Sequence, residues 1–408
     1  MRVSNPSSML PSAMMAALMA ALVCAASVPQ RVQAQALLPS ATWGTGPIFS
    51  AWSFSTPLRQ SSGDVQAAIE VALPFRVSFA GSGFRVDLTG AGAYGGVVFK
   101  DAAGDGHLSS IAGPTDVKLR VSRTVFDQAT LITLGVNLPT GKTKLNSEET
   151  SALQILAAPS LAMPIASFGL GTGATLGVVH AFQGDGWAFA LGASGEKRSE
   201  YSPVALVLQN GLSETKLTPG FAAHVTAGYD RTVGEGRFSA LLIGDVYTRD
   251  QIRVANLATD TSNNYTLGPQ LTGTVQYDFG TTGWRQSAFN VGARMRTEYA
   301  DATGKKVAGS SGSYLESAFN AVRGGPEGAG FVIGADARYQ TGLKFTDAMI
   351  GAAMSGVGLT LGFDHAGEST STRLTLHGMY GSFDTGKSKS TGVGVTLGFS
   401  IGARRGAQ

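Results

Sequence analysis

Charged side chains spaced two residues apart are the most chemically suggestive feature of this chain. Lys118-x-Arg120, Arg294-x-Arg296-x-Glu298 and Asp336-x-Arg338 each put their charges on one side of an extended segment, because side chains alternate across a strand. Fixed charges of both signs along a wet wall make a permeation path with an ion preference. His224 and His377 fall on the same face of their own segments. These nine residues are the candidate lumenal site. Glu70, Arg76, Arg85, Asp87, Glu196, Asp245, Asp364 and Arg373 extend the same pattern. The plainer role for any of them is to solvate an interior and pair across strands.

Other chemistry finds little support. His107-x-Ser109 has a spacing that resembles the lipid A deacylase barrels, but it falls in a stretch rich in Gly and Asp. A base and a nucleophile must be held rigidly within hydrogen-bond reach. The five histidines show no metal-ligand spacing, and 101–105 is too sparse for a calcium loop. No P-loop and no dinucleotide-binding glycine pattern occurs. The expectation is a non-enzyme with neither cofactor nor metal.

The elements that would position the charges read as strands. In 391–402 Val393, Val395, Leu397, Phe399 and Ile401 alternate with glycine or small hydroxyl residues. The pattern recurs, with turn residues between copies, at 44–54, 65–79, 84–99, 116–125, 129–138, 172–182, 187–197, 221–230, 237–248, 267–279, 284–299, 313–322, 330–340, 357–364 and 373–381. A transmembrane barrel turns its greasy faces to lipid and its small polar faces to a wet lumen. The fold class expected is therefore all-β: an antiparallel up-and-down transmembrane barrel of about sixteen strands, with fourteen as the alternative. Ile48, Trp52 and Phe54 are expected to face lipid, as are Ile69, Val71, Leu73, Phe75, Val77 and Phe79. Short turns should lie on the periplasmic side. The longer loops, near 100–115, 140–171, 199–219, 249–265, 299–312, 341–356 and 382–390, should lie outside the cell. Residues 146–158 break the strand pattern. Ser147-Glu-Glu-Thr followed by Ala152, Leu153, Ile155 and Leu156 reads as a capped helix, more readily a surface loop than a plug in the barrel mouth.

Composition agrees. Glycine is 55 of 408 residues and charged residues are only 14%, against a usual ~7% and ~25%. Arg2 and the apolar run 13–26, with Val32-Gln-Ala34 at its end, read as a signal peptide, 1–34, which leaves 35–408 as one barrel domain. Cleavage there removes Arg2, Arg31 and the only cysteine, Cys24, so that the net charge of +3 falls to +1. A mature chain without cysteine forms no disulfide and has no thiol nucleophile. Near-neutral charge gives no electrostatic case for nucleic acid. The expected location is the outer membrane of a Gram-negative-type bacterium. The expected partners are the lipid bilayer, a small-molecule solute and the outer-membrane assembly machinery. The C-terminus departs from the common barrel ending, since Ser400 to Gln408 follow Phe399, the last aromatic.

One local element carries a family resemblance. Gly113-Pro-Thr-Asp116 opens a strand, and the next strand ends in Leu138-Pro-Thr-Gly-Lys142. The pair resembles the outer-membrane transporters grouped with the phenol-degradation, MetA-pathway type barrels. The resemblance implies uptake of small hydrophobic or aromatic compounds. The physics of the motif is that Pro139 ends strand pairing and Gly141 permits the turn. The rival readings are a non-conducting structural or adhesive barrel and a membrane-embedded lipid hydrolase.

Overall fold

The computed structural model describes residues 40–405 except 61–62, 82, 101–103, 127–128, 209–210, 255–261, 280–282, 326, 343–352 and 385–388. The expected signal peptide, Cys24 and part of the 101–105 segment lie outside the described residues.

Alternation becomes a closed wall. β1 (Ser40–Thr45) and β2 (Ile48–Gln60) are collinear halves of one strand, broken at Gly46-Pro47, and both pair with β3 (Gly63–Gly81). Antiparallel neighbours then follow in chain order. They are β4 (Phe84–Lys100), the collinear β5 (Gly106–Pro114) and β6 (Val117–Val125), β7 (Thr130–Leu138), β8 (Gly173–Gly184) and β9 (Trp187–Arg198). The wall continues through β12 (Phe221–Val233), β13 (Gly236–Tyr247), β16 (Gln270–Asp278), β17 (Trp284–Arg296), β18 (Gly312–Arg323), β19 (Gly328–Thr341), β20 (Ala353–Ala366), β21 (Thr370–Asp384) and β22 (Lys389–Arg405). The last strand pairs with β1 and β2 and closes a sixteen-strand barrel. A closed sheet leaves no edge, which is what lets strands cross lipid.

The outer surface is apolar. Leu359 is 68% exposed, Phe363 66% and Val225 64%, and no aqueous monomer would present such side chains over a whole wall. Near the rim formed by the short turns, Phe182, Phe189, Tyr229, Phe238, Tyr277, Phe289 and Phe319 follow one another strand by strand from β8 to β18. Such an aromatic girdle marks a membrane interface.

Three expectations need correction. Trp52 and Phe54 face the lumen, at 2% and 5% exposure. Ile48 shares their face, since it pairs with Ala72 and Gly398. Glycine opposite them is the reason. A Cβ on Gly394 would strike the Trp52 ring, and one on Gly392 the Phe54 ring, so both rings lie flat against the inner wall. The stretch 106–114, expected as loop, is strand β5, paired residue for residue with β4. The loops expected at 199–219 and 249–265 contain a second sheet of β10 (Tyr201–Leu208), β11 (Gly211–Thr218), β14 (Asp250–Val254) and β15 (Ser262–Tyr265). It carries the wall onward beyond the long-loop rim.

Candidate functional site

The 34 residues between β7 and β8 leave the wall and return to it at adjacent strands, since Thr130–Asn137 pairs directly with Gly173–His180. They fold inward. Helix α1 (Ser147–Leu156) packs on the inner faces of β3, β4 and β5. Asn146 caps it: its side chain accepts the Glu149 N–H at 2.9 Å, while Glu149 accepts the Asn146 N–H at 3.1 Å. This reciprocal pair satisfies two donors at the helix start. Lys142 forms an ion pair with the same Glu149. Ala152, Ile155 and Leu156 face the wall. Gly95 on β4 leaves the room, since a Cβ there would overlap Leu156. The helix expected as a surface element thus lies inside the barrel.

Two wall carboxylates hold this excursion by its backbone. Asp116 sits in the two-residue break between β5 and β6, where four residues on that strand oppose three on β4. Its Oδ1 accepts the Gly141 N–H at 2.9 Å, and its Oδ2 accepts the Leu170 N–H at 2.6 Å and Asn137 Nδ2 at 2.7 Å. Thr140 completes the corner, its Oγ1 accepting the Val117 N–H and donating to the Thr115 carbonyl. A Cβ on Gly141 would collide with the Phe168 carbonyl and with Asp116. Close approach, more than turn freedom, is therefore what requires glycine in Leu138-Pro-Thr-Gly-Lys142. Deeper inside, Glu70 on β3 is fully buried and accepts the Ile165 N–H at 2.6 Å; its Oε2 has no partner. Trp52 Nε1 donates to the Leu161 carbonyl at 2.9 Å. Trp52, Phe54, Phe99, Met354, Met379 and Phe383 join Ile155, Leu156, Leu161 and Phe168 in one apolar cluster.

The predicted charges line the remaining wall in two groups on different strands. On β3, β4 and β6, the buried Asp87 draws Arg85 to 2.9 Å, Arg76 to 3.2 Å and Arg120 to 3.5 Å. Lys118 lies on the same face of β6 as Arg120. On β17 to β21, Arg294 stands 5.6 Å from the centre of the Tyr314 ring. Arg296 lies on the same face of β17. Asp336 takes Arg338 Nε at 3.2 Å and His377 Nε2 at 2.7 Å. His224 stands between the groups and contacts Asp245 at 2.6 Å. Glu298 is a correction: β17 ends at Arg296, and Glu298 accepts the Gly309 N–H within the following loop. Sequence reasoning missed Arg285. A bulge between Trp284 and Gln286 turns its side chain to Asp364, which also pairs with Arg373. No alternation rule shows such a bulge. It also missed the roles of Asp116 and Glu70 as anchors.

His107 stacks on Phe99 with ring centres 5.4 Å apart, and Ser109 is buried. Neither makes a hydrogen bond to the other. Among the described residues no group of three His, Cys, Asp or Glu could hold a metal ion.

No protein-family profile matches the chain, and no curated protein matches it. Among solved structures, OprB of Pseudomonas putida aligns with 90% of this chain and 94% of its own, at 10% identity and a TM-score of 0.45. OmpT of Vibrio cholerae aligns over 92% and 100%, at 10% identity and a TM-score of 0.40. The CymD monoaromatic hydrocarbon channel aligns over 91% and 90%, at 9% identity and a TM-score of 0.38.

Proposed function

We propose that this protein is an outer-membrane conduit for the passive uptake or conduction of small molecules, with the excursion between β7 and β8 as its plug. One observation carries the reading. The segment inside the barrel is no part of the wall; an apolar cluster packs it there, and its two ends are pinned by hydrogen bonds to the single carboxylate of Asp116. A barrel that needed only to be closed could fill its interior with wall side chains, as small barrels do. The fixed charges of both walls supply the hydrated lining that conduction needs. The lipid bilayer is the solvent for the outer face. The assembly machinery of a Gram-negative-type outer membrane would insert it, after export directed by 1–34.

The finer reading is that the solutes are small hydrophobic or aromatic compounds. It is supported by Trp52, Phe54, Met354, Met379 and Phe383, an apolar lumenal lining that the plug covers. Displacing the plug would uncover that lining along the path. The structural or adhesive reading draws on the same buried plug, and on the second sheet beyond the long-loop rim. The lipid hydrolase reading draws only on His107 and Ser109, which no hydrogen bond joins.

Single-channel recording in planar bilayers tests the proposal. The full chain should give small or rare openings, and Asp116→Ala should raise open time or unit conductance. A barrel silent in both forms, yet correctly folded by its heat-modifiable migration, would favour the structural reading.

A further inference from the structure

The wall of β17 to β21 contains a recess of about 260 Å³ that opens to the lumen. Glycines in the wall let the lining side chains lie where they do. A Cβ on Gly358 would strike His377 and Asp336, and a Cβ on Gly334 would come within 2.6 Å of Asn320 Oδ1. Asn290, Asn320, Thr360, Asp336, Arg338 and His377 surround it from five successive strands. Its size is at or below the lower end of ordinary small-molecule sites.

Most charges of the recess are engaged with one another, although Arg338 keeps one buried guanidinium nitrogen, Nη1, without a partner. Asp336 is held by both Arg338 and His377. Glu316, at the edge, accepts the Tyr314 hydroxyl at 2.8 Å. An anion drawn to Arg338 Nη1 would lie against the Asp336 and Glu316 carboxylates, a like charge beside its opposite. The neutral groups carry no such conflict. The side chains of Asn290, Asn320 and Thr360 make no hydrogen bond to another described residue. Two amides and a hydroxyl offer donors and acceptors side by side. A hydroxyl group matches that alternation, because it donates and accepts through one atom.

We infer that this recess is a binding site for an uncharged solute presenting hydroxyl groups to Asn290, Asn320 and Thr360. The hydroxyls could belong to a polyol or to an alcohol with an aromatic body, whose ring would extend toward Met379, the next lumenal position above His377. The inference rests on the conduit reading only in that the solute must reach the lumen. Equilibrium binding needs no flow.

The test is isothermal titration of the full chain in nanodiscs, with empty nanodiscs subtracted, using sorbitol, benzyl alcohol and benzoate in separate runs. Sorbitol or benzyl alcohol should bind, and which of them does identifies the source of the hydroxyls. Benzoate should bind at least about tenfold more weakly, because its carboxylate would lie against those of Asp336 and Glu316. The double variant Asn290→Ala with Asn320→Ala should weaken the bound solute by about tenfold or more. Gly334→Ala should do the same by pushing Asn320 and Thr360 out of place while keeping every polar group. Heat-modifiable migration identifies any variant that fails to fold, and Thr360→Val then takes its place. No binding of either alcohol, binding that survives all folded variants, or tighter binding of benzoate would overturn the inference. Normal channel currents without alcohol binding would sink this site alone. Alcohol binding in a barrel that never conducts would leave the site standing and remove the conduit.

Discussion

Glu70 receives the backbone N–H of Ile165 at 2.6 Å from a position that no solvent reaches. A buried carboxylate with one unpartnered oxygen and a single backbone donor is poorly compensated. It is kept where it ties the plug to β3. Glu70→Leu keeps the volume and leaves the Ile165 N–H unsatisfied, a cost of about 1–3 kcal/mol. The expected result is faster limited proteolysis within residues 143–168 with the barrel still folded. Cleavage at the wild-type rate would show that Glu70 does not hold the plug.

Asp116 should matter more. Asn in its place would set an amide N–H₂ against donors that now share two oxygens, those of Gly141, Leu170 and Asn137. Asp116→Asn should cost at least ~2 kcal/mol, because hydrogen bonds to charged groups are each worth ~1.5–3 kcal/mol. Heat-modifiable migration in detergent would read the loss, and an unchanged transition temperature would contradict it.

The two faces of β16 should respond oppositely to charge. Val275 points to lipid and Thr274 to the lumen. Val275→Arg should cost about 2–4 kcal/mol if it sits near the bilayer midplane, and Thr274→Arg much less. Equal cost at both positions would argue for a sheet buried on two sides.

Sidedness can be read with single cysteines, since Cys24 is the only one in the sequence. Lys306→Cys lies in the loop after β17, and Asp185→Cys in the short turn after β8. On intact cells an impermeant maleimide should label the first alone, and permeabilisation should add the second. The reverse order would invert the barrel in its membrane.

Asp301 gives a pH dependence outside the membrane. The Thr303 hydroxyl holds its carboxyl below the usual range, helped by the Thr303 and Lys305 N–H groups. A folded value below the unfolded one stabilises the turn above the unfolded value, and that stability is lost as pH falls through the folded value. Amide exchange at Thr303 and Lys305, compared after correction for intrinsic rates, should lose protection only in strongly acidic buffer. Loss already near neutrality would refute the link.

Most of the wall was legible because a strand half in lipid and half in water must alternate, and β16, β20 and β22 do. The first strand misled because Ile48, Trp52 and Phe54 on one face compete with Phe49 and Ala51 on the other. The deciding information was the glycine pair Gly392 and Gly394, more than 300 residues away in the chain. β5 was hidden because His107-Leu-Ser-Ser-Ile-Ala alternates poorly, its face being set by contact with the plug. The sheet of β10, β11, β14 and β15 lies beyond the long-loop rim, so the lipid rule that exposed the other strands does not apply to it. The charged residues were legible as a wall. Their pairing was not, since Asp336 with His377 and Asp364 with Arg285 depend on register and on a bulge.

The wall between β7 and β8 is continuous whether or not the excursion is present, and the excursion's two ends are joined at one side chain. Its interior therefore resembles a cassette clipped into a frame. Its sequence and length could change without disturbing a single strand register, so long as Asp116 and the glycine at 141 remain. A lineage needing to admit a different solute could rewrite that cassette alone, and an engineer could do the same with Gly141 and Leu170 as fixed splice points.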